Sequence, residues 1–129
     1  MTFRAPLRRR FAAAMVLAAV MLASGAAART ASAPLREVAL ADLPPEAREV
    51  VALVHQGGPF HYDRDGVVFG NRERILPAEP RGYYHEYTVP TPGVKSRGAR
   101  RIICGGPATA PAACWYTSDH YRSFRRIRE

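Results

Sequence analysis

One carboxylate, one imidazole and two guanidiniums stand out as residues that could work together: Glu86, His120, Arg97 and Arg101. Glu86 lies in Tyr83-Tyr84-His85-Glu86-Tyr87-Thr88-Val89, and Arg97-Gly98-Ala99-Arg100-Arg101-Ile102-Ile103-Cys104 follows after a short connector. A carboxylate set among arginines is costly to bury in a core and useful where phosphate is handled. Two groups of opposite protonation state flanking a phosphate can take a proton from an attacking hydroxyl and give one to a leaving oxygen. Fixed guanidiniums stabilise the charge that builds on the non-bridging oxygens. These are the groups that 2′-hydroxyl attack and 5′-oxygen departure in RNA cleavage require. Spacing alone leaves a structural ion pair and a surface histidine open as the alternative.

The elements that must position these groups follow from local pattern. Both stretches are dense in aromatic and β-branched residues and read as strands, joined through the turn-forming Pro90-Thr91-Pro92-Gly93. Antiparallel pairing brings the carboxylate near the guanidiniums. Alternation puts Tyr84, Glu86 and Thr88 on one face of the first strand, and Arg101 with Ile103 on one face of the second. Upstream, Asp42-Leu43-Pro44-Pro45-Glu46 signals a helix start, since proline is tolerated in a first turn and acids favour its positive end. Ala47, Val50, Val51 and Val54 follow at helical spacing, and Gly57-Gly58-Pro59 stops the helix. Residues 29–37 show no strong period and either fray or add one edge strand near residues 38–40. Val67-Val68-Phe69 offer a brief pairing, Trp115-Tyr116-Thr117 another strand, and residues 124–128 a last amphipathic one. Asp119-His120-Tyr121 sits at a turn. One helix followed by consecutive strands predicts an α+β domain, with an N-terminal helix packed on a small antiparallel β-sheet.

Residues 1–28 read as a signal peptide: a basic head with Arg4 and Arg8-Arg9-Arg10, an apolar run over residues 11–23, and small residues at Ala26-Ala27-Ala28. The apolar run is short for a membrane span. The expectation is a secreted, extracellular protein with a single domain over residues 29–129 and no membrane association once the signal is removed. Of 19 Lys and Arg, 15 lie after Ala28 with all 11 acids, so that portion carries +4 rather than the whole chain's +8. A modest positive charge suits a polyanionic partner without identifying one. Cys104 and Cys114 should meet an oxidising compartment. A bond between them would restrict the unfolded chain by roughly 2–3 kcal/mol, or strand geometry holds the two apart. Two cysteines and no paired histidine motif give a zinc site no support.

Read together, several blocks resemble the secreted guanyl-specific microbial ribonucleases, nearer the ribonuclease Sa type and more distantly barnase. They are Leu43-Pro44-Pro45-Glu46-Ala47, Asp65-Gly66-Val67-Val68-Phe69, Asn71-Arg72-Glu73, residues 82–89, Thr91-Pro92-Gly93, Arg97-Gly98, residues 100–105 and Asp119-His120-Tyr121. The resemblance runs in order from Leu40 to Ile127. It implies the microbial ribonuclease fold and endonucleolytic cleavage of single-stranded RNA 3′ to guanosine, through a 2′,3′-cyclic phosphate and without metal or cofactor. Glu86 matches the general base and His120 the general acid; Arg101 matches the arginine bound at the phosphate and Arg97 a second one nearby. Glu73 matches the carboxylate that accepts guanine's N1–H and N2–H, backbone N–H groups around Asn71 and Arg72 would meet O6 and N7, and Phe69 and Tyr121 match the aromatic groups around the base. A monomer and a barstar-like protein inhibitor are further implications.

Three departures accompany the resemblance. Gly70 stands where the ribonuclease Sa type has glutamine, which removes a side chain at the base site and leaves the backbone donors. The family disulfide tying the chain ends is absent: Ala39 occupies one position and the sequence stops before the other. The segment from Cys104 to His120 is about three residues longer, and a bridge to the additional Cys114 would alter the approach to His120. His85 should point away from Glu86, His55 and His61 should be structural or solvent-facing, and Tyr83, Tyr84, Tyr87 and Trp115 should pack the sheet. The Arg122, Arg125, Arg126 and Arg128 cluster reads as a solvated face. The rival functions are a catalytically weakened member of the family and a basic RNA-binding module in which the Glu86–Arg101 pair is only structural.

Overall fold

The computed structural model describes Thr2 and residues 35–129; the expected signal peptide otherwise lies outside the described residues. Strand β1 (Glu37–Ala39) leads through a 3-10 turn (Leu40–Asp42) into helix α1 (Pro45–Gln56). Strands β2 (Val67–Val68), β3 (Tyr84–Thr88), β4 (Arg101–Gly105), β5 (Ala113–Thr117) and β6 (Arg125–Arg128) follow. Proline at the first helical position starts α1, and Gly57 at φ 79° ends it, where the Gly57 and Gly58 N–H groups cap the carbonyls of Val54 and Leu53. Ala47, Val50, Val51 and Val54 are the buried stripe of the helix, as the spacing predicts.

The strands form one sheet in the order β1-β6-β5-β4-β3-β2. The α+β class stands, but the expectation of a small antiparallel sheet is corrected: among the described residues the sheet has six strands and β1 pairs parallel to β6. These two strands come from opposite ends of the domain, so no hairpin dictates their direction. Glu37 pairs with Arg126 and Ala39 with Arg128, while Val38 lies beside Ile127. The helix is also not the first element, since β1 precedes it.

The two sheet faces do different work. One carries Tyr87, Ile102, Cys104, Cys114, Tyr116 and Ile127 against the valines of α1; each fully buried valine contributes roughly 1.5–3 kcal/mol relative to exposure. Cys104 and Cys114 are cross-strand partners and form a disulfide on this face. The opposite face is apolar at one end, with Leu76, Tyr84, Ile103, Trp115 and Phe124, and polar at the other, with buried Glu86, Thr88, Arg101 and Thr117. The bridge therefore points away from the functional residues, and the expected effect on the approach to His120 finds no structural basis. At Gly105 a Cβ would collide with the rings of Tyr83 and Tyr84, so glycine is what lets both aromatics cross the sheet there.

Candidate active site

Glu86 faces Ile103 and Thr88 faces Arg101 across β3 and β4. Cross-strand partners share a face, so Glu86 and Arg101 stand on the same side, as alternation predicts. Glu86 is 7% exposed and Arg101 3%. Such burial is tolerable only because the polar atoms are met. Tyr121 donates its phenolic O–H to Glu86 Oε2 at 2.9 Å and accepts from Arg101 Nε at 3.2 Å. Arg101 Nη1 donates to the carbonyls of Arg100 at 2.7 Å and Arg97 at 3.3 Å. Burial, reinforced by the Glu86 carboxylate, pushes the Tyr121 phenol above its usual range, so it remains a donor.

Strand β4 starts only at Arg101, so Arg97, expected within it, lies instead in the loop between β3 and β4 and reaches back over β3. Its Nε and Nη2 donate to Thr88 Oγ1 at 3.0 and 2.8 Å, and Nη2 stands 3.9 Å from Glu86 Oε1. His120 and Tyr121 both adopt left-handed backbone, at φ 56° and 71°, a conformation that costs a non-glycine residue free energy and must be held by its surroundings. The His120 N–H donates to the Ala99 carbonyl at 3.0 Å and the Tyr121 N–H to Thr117 Oγ1 at 3.2 Å. Thr117 donates to Asp119 Oδ1 at 2.9 Å, and Asp119 also accepts from the Ser123 N–H and hydroxyl. These bonds hold Asp119 ionised, its carboxyl drawn down to about 2.

Opposite lies the loop after β2. Asn71, at φ 47°, spends its side chain on the loop: Nδ2 donates to the Leu76 carbonyl at 3.0 Å and Oδ1 accepts the Leu76 N–H at 3.2 Å. Phe69 stacks on Tyr121 with ring centroids 5.4 Å apart and planes 20° apart. Between these parts lies a cavity of about 480 Å³, whose walls include Phe69, Gly70, Asn71, Arg72, Glu73, Glu86, Arg97, His120 and Tyr121. The volume is within the ordinary range for a small-molecule site. Chemically, the cavity joins a carboxylate, an imidazole and a guanidinium to an aromatic and acidic wall.

Residues 26–128 match the sequence profile of the family described as ribonuclease. Over 90 residues the chain is 53% identical to guanyl-specific ribonuclease Sa of Kitasatospora aureofaciens, covering 70% of this chain and 91% of that protein. It is 54% identical over 89 residues to guanyl-specific ribonuclease St of Saccharopolyspora erythraea, covering 69% and 84%. The chain belongs to the guanyl-specific microbial ribonucleases. It is also 56% identical over 85 residues to guanyl-specific ribonuclease Sa3 of Kitasatospora aureofaciens, covering 66% of this chain and 58% of that protein. Among solved structures, ribonuclease Sa2 complexed with mononucleotides matches with a TM-score of 0.70 at 43% identity, covering 75% of this chain and 97% of that one. Ribonuclease Sa2 with guanosine-2′-cyclophosphate matches at 0.66 and 45%, covering 73% and 96%.

In this ribonuclease every proposed catalytic or base-binding residue lines the cavity except Arg101, which is bonded to Tyr121 on its wall. His85 partners Cys104 and so faces the helix side, away from Glu86. His55 and His61 lie outside the cavity, near Glu129 and Glu49. Sequence reasoning missed Arg64, Val68, Ile75 and Phe124 on the walls. It also missed the Tyr121–Glu86 bond and the Thr88–Arg97 bond. Strand alternation, which puts Thr88 beside Glu86, was the available signal for the latter. Among the described residues no cluster of three or more His, Cys, Asp or Glu could hold a metal ion, and no helix is long and apolar enough to cross a membrane.

Proposed function

We propose that this ribonuclease is a secreted, monomeric endonuclease that cleaves single-stranded RNA on the 3′ side of guanosine. Glu86 takes the 2′-hydroxyl proton, the 2′-oxygen attacks phosphorus, and His120 protonates the departing 5′-oxygen. The 2′,3′-cyclic phosphate is then hydrolysed with the two roles exchanged. Arg97 and Arg101 stabilise the charge on the non-bridging oxygens. Glu73 accepts guanine's N1–H and N2–H, which adenine lacks in that arrangement, and backbone N–H groups at residues 71–72 meet O6 and N7. The Asn71 side chain, committed to Leu76, braces the loop that presents these groups. Stacking between the base and Phe69 or Tyr121 adds roughly 1–3 kcal/mol. Export is supported by the basic head and apolar run of residues 1–28. A nuclease of this kind endangers the cell that makes it, so an acidic, barstar-like inhibitor is its proposed protein partner.

The observation that carries the reading is that Glu86, Arg97 and His120 share one cavity with the 69–73 loop. The test is cleavage of guanylyl against adenylyl dinucleotides by the purified protein. The parent should cleave the guanylyl substrate preferentially and Glu86→Gln should lose about 100-fold or more in kcat while remaining folded. Undiminished turnover by Glu86→Gln would remove it from the base role. A folded parent that binds RNA without cleaving it would favour the non-catalytic rival.

A further inference from the structure

Thr88, Arg101 and Thr117 sit at one register level across β3, β4 and β5. All three are buried, at 1, 3 and 1% exposure. A hydroxyl placed this deep is costly unless bonded, and Thr88 Oγ1 is met from one side by Nε and Nη2 of Arg97. Its own backbone is fixed as well: the Thr88 N–H donates to Asp65 Oδ1 at 2.7 Å, and Asp65 Oδ2 accepts the Tyr62 N–H at 3.3 Å. The proton transfers described above do not use Thr88, and it does not line the cavity.

We infer that Thr88 is a positioning residue for the reaction: its buried hydroxyl holds the Arg97 guanidinium open, facing the phosphate rather than collapsed on the base Glu86. Two of the five guanidinium N–H groups go to Thr88, which leaves the others for phosphate oxygens. The spacing between Arg97 Nη2 and Glu86 Oε1, 3.9 Å, is too long for a hydrogen bond. Glu86 therefore does not fix Arg97; Thr88 does. Without that acceptor, the guanidinium is free to close the gap and form a charge-assisted pair with the carboxylate. One collapse would occupy both the group meant to take the proton and the group meant to meet the anion.

The inference rests on the proposed role of Arg97, and the experiment separates the two. Thr88→Val keeps shape and removes the acceptor. Its kcat on a guanylyl dinucleotide should fall about 10- to 100-fold, the scale of one or two lost charge-assisted hydrogen bonds, with KM little changed. The inhibition constant of inorganic phosphate should rise in parallel, and Thr88→Ser, which restores the hydroxyl, should recover most of both losses. If the valine variant does not fold, Thr88→Ala carries the same expectation. Equal losses in the serine and valine variants, or a folded valine variant with unchanged kcat and phosphate inhibition, would overturn the positioning role. Arg97→Ala is the control: lost activity there beside a fully active Thr88→Val refutes only the inference, whereas a fully active Arg97→Ala refutes the reading beneath it.

Discussion

At Gly70 the backbone has no need of glycine: its φ is not in the left-handed region, unlike that of Gly66 or Gly82. A Cβ built there would meet Arg72 Cγ at 3.5 Å and Nε at 3.8 Å, ordinary contact distances. The missing side chain thus does not bear on folding, and in the proposed reading base preference rests the more heavily on Glu73. Two variants read by the same assay test this. Glu73→Ala should lower kcat/KM for guanylyl dinucleotides by about 10- to 100-fold, the scale of a charged hydrogen-bond pair, and leave adenylyl substrates little changed. Gly70→Gln should fold, with a melting temperature equal to or above the parent's because glycine loses more freedom on folding, and should widen the guanine-to-adenine ratio. An unchanged ratio in Glu73→Ala would take that carboxylate out of base recognition.

The element that carries His120 is the turn between β5 and β6, and its strength depends on one charge. Ser123, through its hydroxyl and then its backbone N–H, with help from Thr117, draws the Asp119 carboxyl from 3.8 down to about 2. A carboxyl depressed by folding stabilises the native state fully above its unfolded value and loses that contribution as pH falls through its folded one. Asp119→Asn should therefore unfold more readily than the parent above pH 4, with the difference closing toward pH 2, as urea melts across that range would show. It should also lose kcat, because the left-handed backbone of His120 and Tyr121 is held by this network. The sequence displayed the turn but not its wiring, since Thr117 and Asp119 read there as a strand end and a generic turn acid. The helix and central strands were legible because their signals are local: apolar spacing over residues 47–54, alternation over residues 83–89, and a glycine stop at Gly57. What brought Glu86 beside Arg101 was likewise visible, because strand alternation puts each on one face and a one-residue slip would turn the apolar residues of either strand away from the core. Thr88 was hidden for a different reason: its partner Arg97, read from sequence as part of the second strand, lies in the loop before β4, where strand alternation does not set a side chain's direction.

Across the whole molecule, the pairing that no local pattern could indicate is the one that joins the two ends of the domain. Glu37 lies 3.9 Å from Arg126 and 3.7 Å from Arg128 across the parallel β1–β6 pair, and the Arg126 N–H donates to the Arg36 carbonyl at 2.7 Å. Among the described residues the one disulfide, Cys104–Cys114, joins β4 to β5, so this strand pairing is what tethers the two ends of the domain, and His55 adds a second contact. Standing in the last turn of α1, His55 meets Glu129 Oε1 through Nε2 at 2.8 Å and the Thr109 carbonyl through Nδ1 at 3.4 Å. One imidazole thus links the helix, the β4–β5 loop and the residue after β6. The Glu129 hydrogen bond, above all, raises the His55 pKa over its ordinary 6.5. A group raised by folding stabilises the native state fully below its unfolded value, and the contribution fades as pH climbs through the folded one. Both partners are half-exposed, so solvent limits the pair to about 0–1 kcal/mol, and salt weakens it further. At pH 5.5 and low ionic strength, His55→Ala should accordingly melt up to about 4–8 °C below the parent. The gap should shrink steadily toward pH 9 and again in 1 M salt at pH 5.5, while kcat stays unaffected because His55 lies outside the cavity. A gap that persists undiminished at pH 9 would mean that packing of the ring, rather than its charge, is what secures the end of the domain.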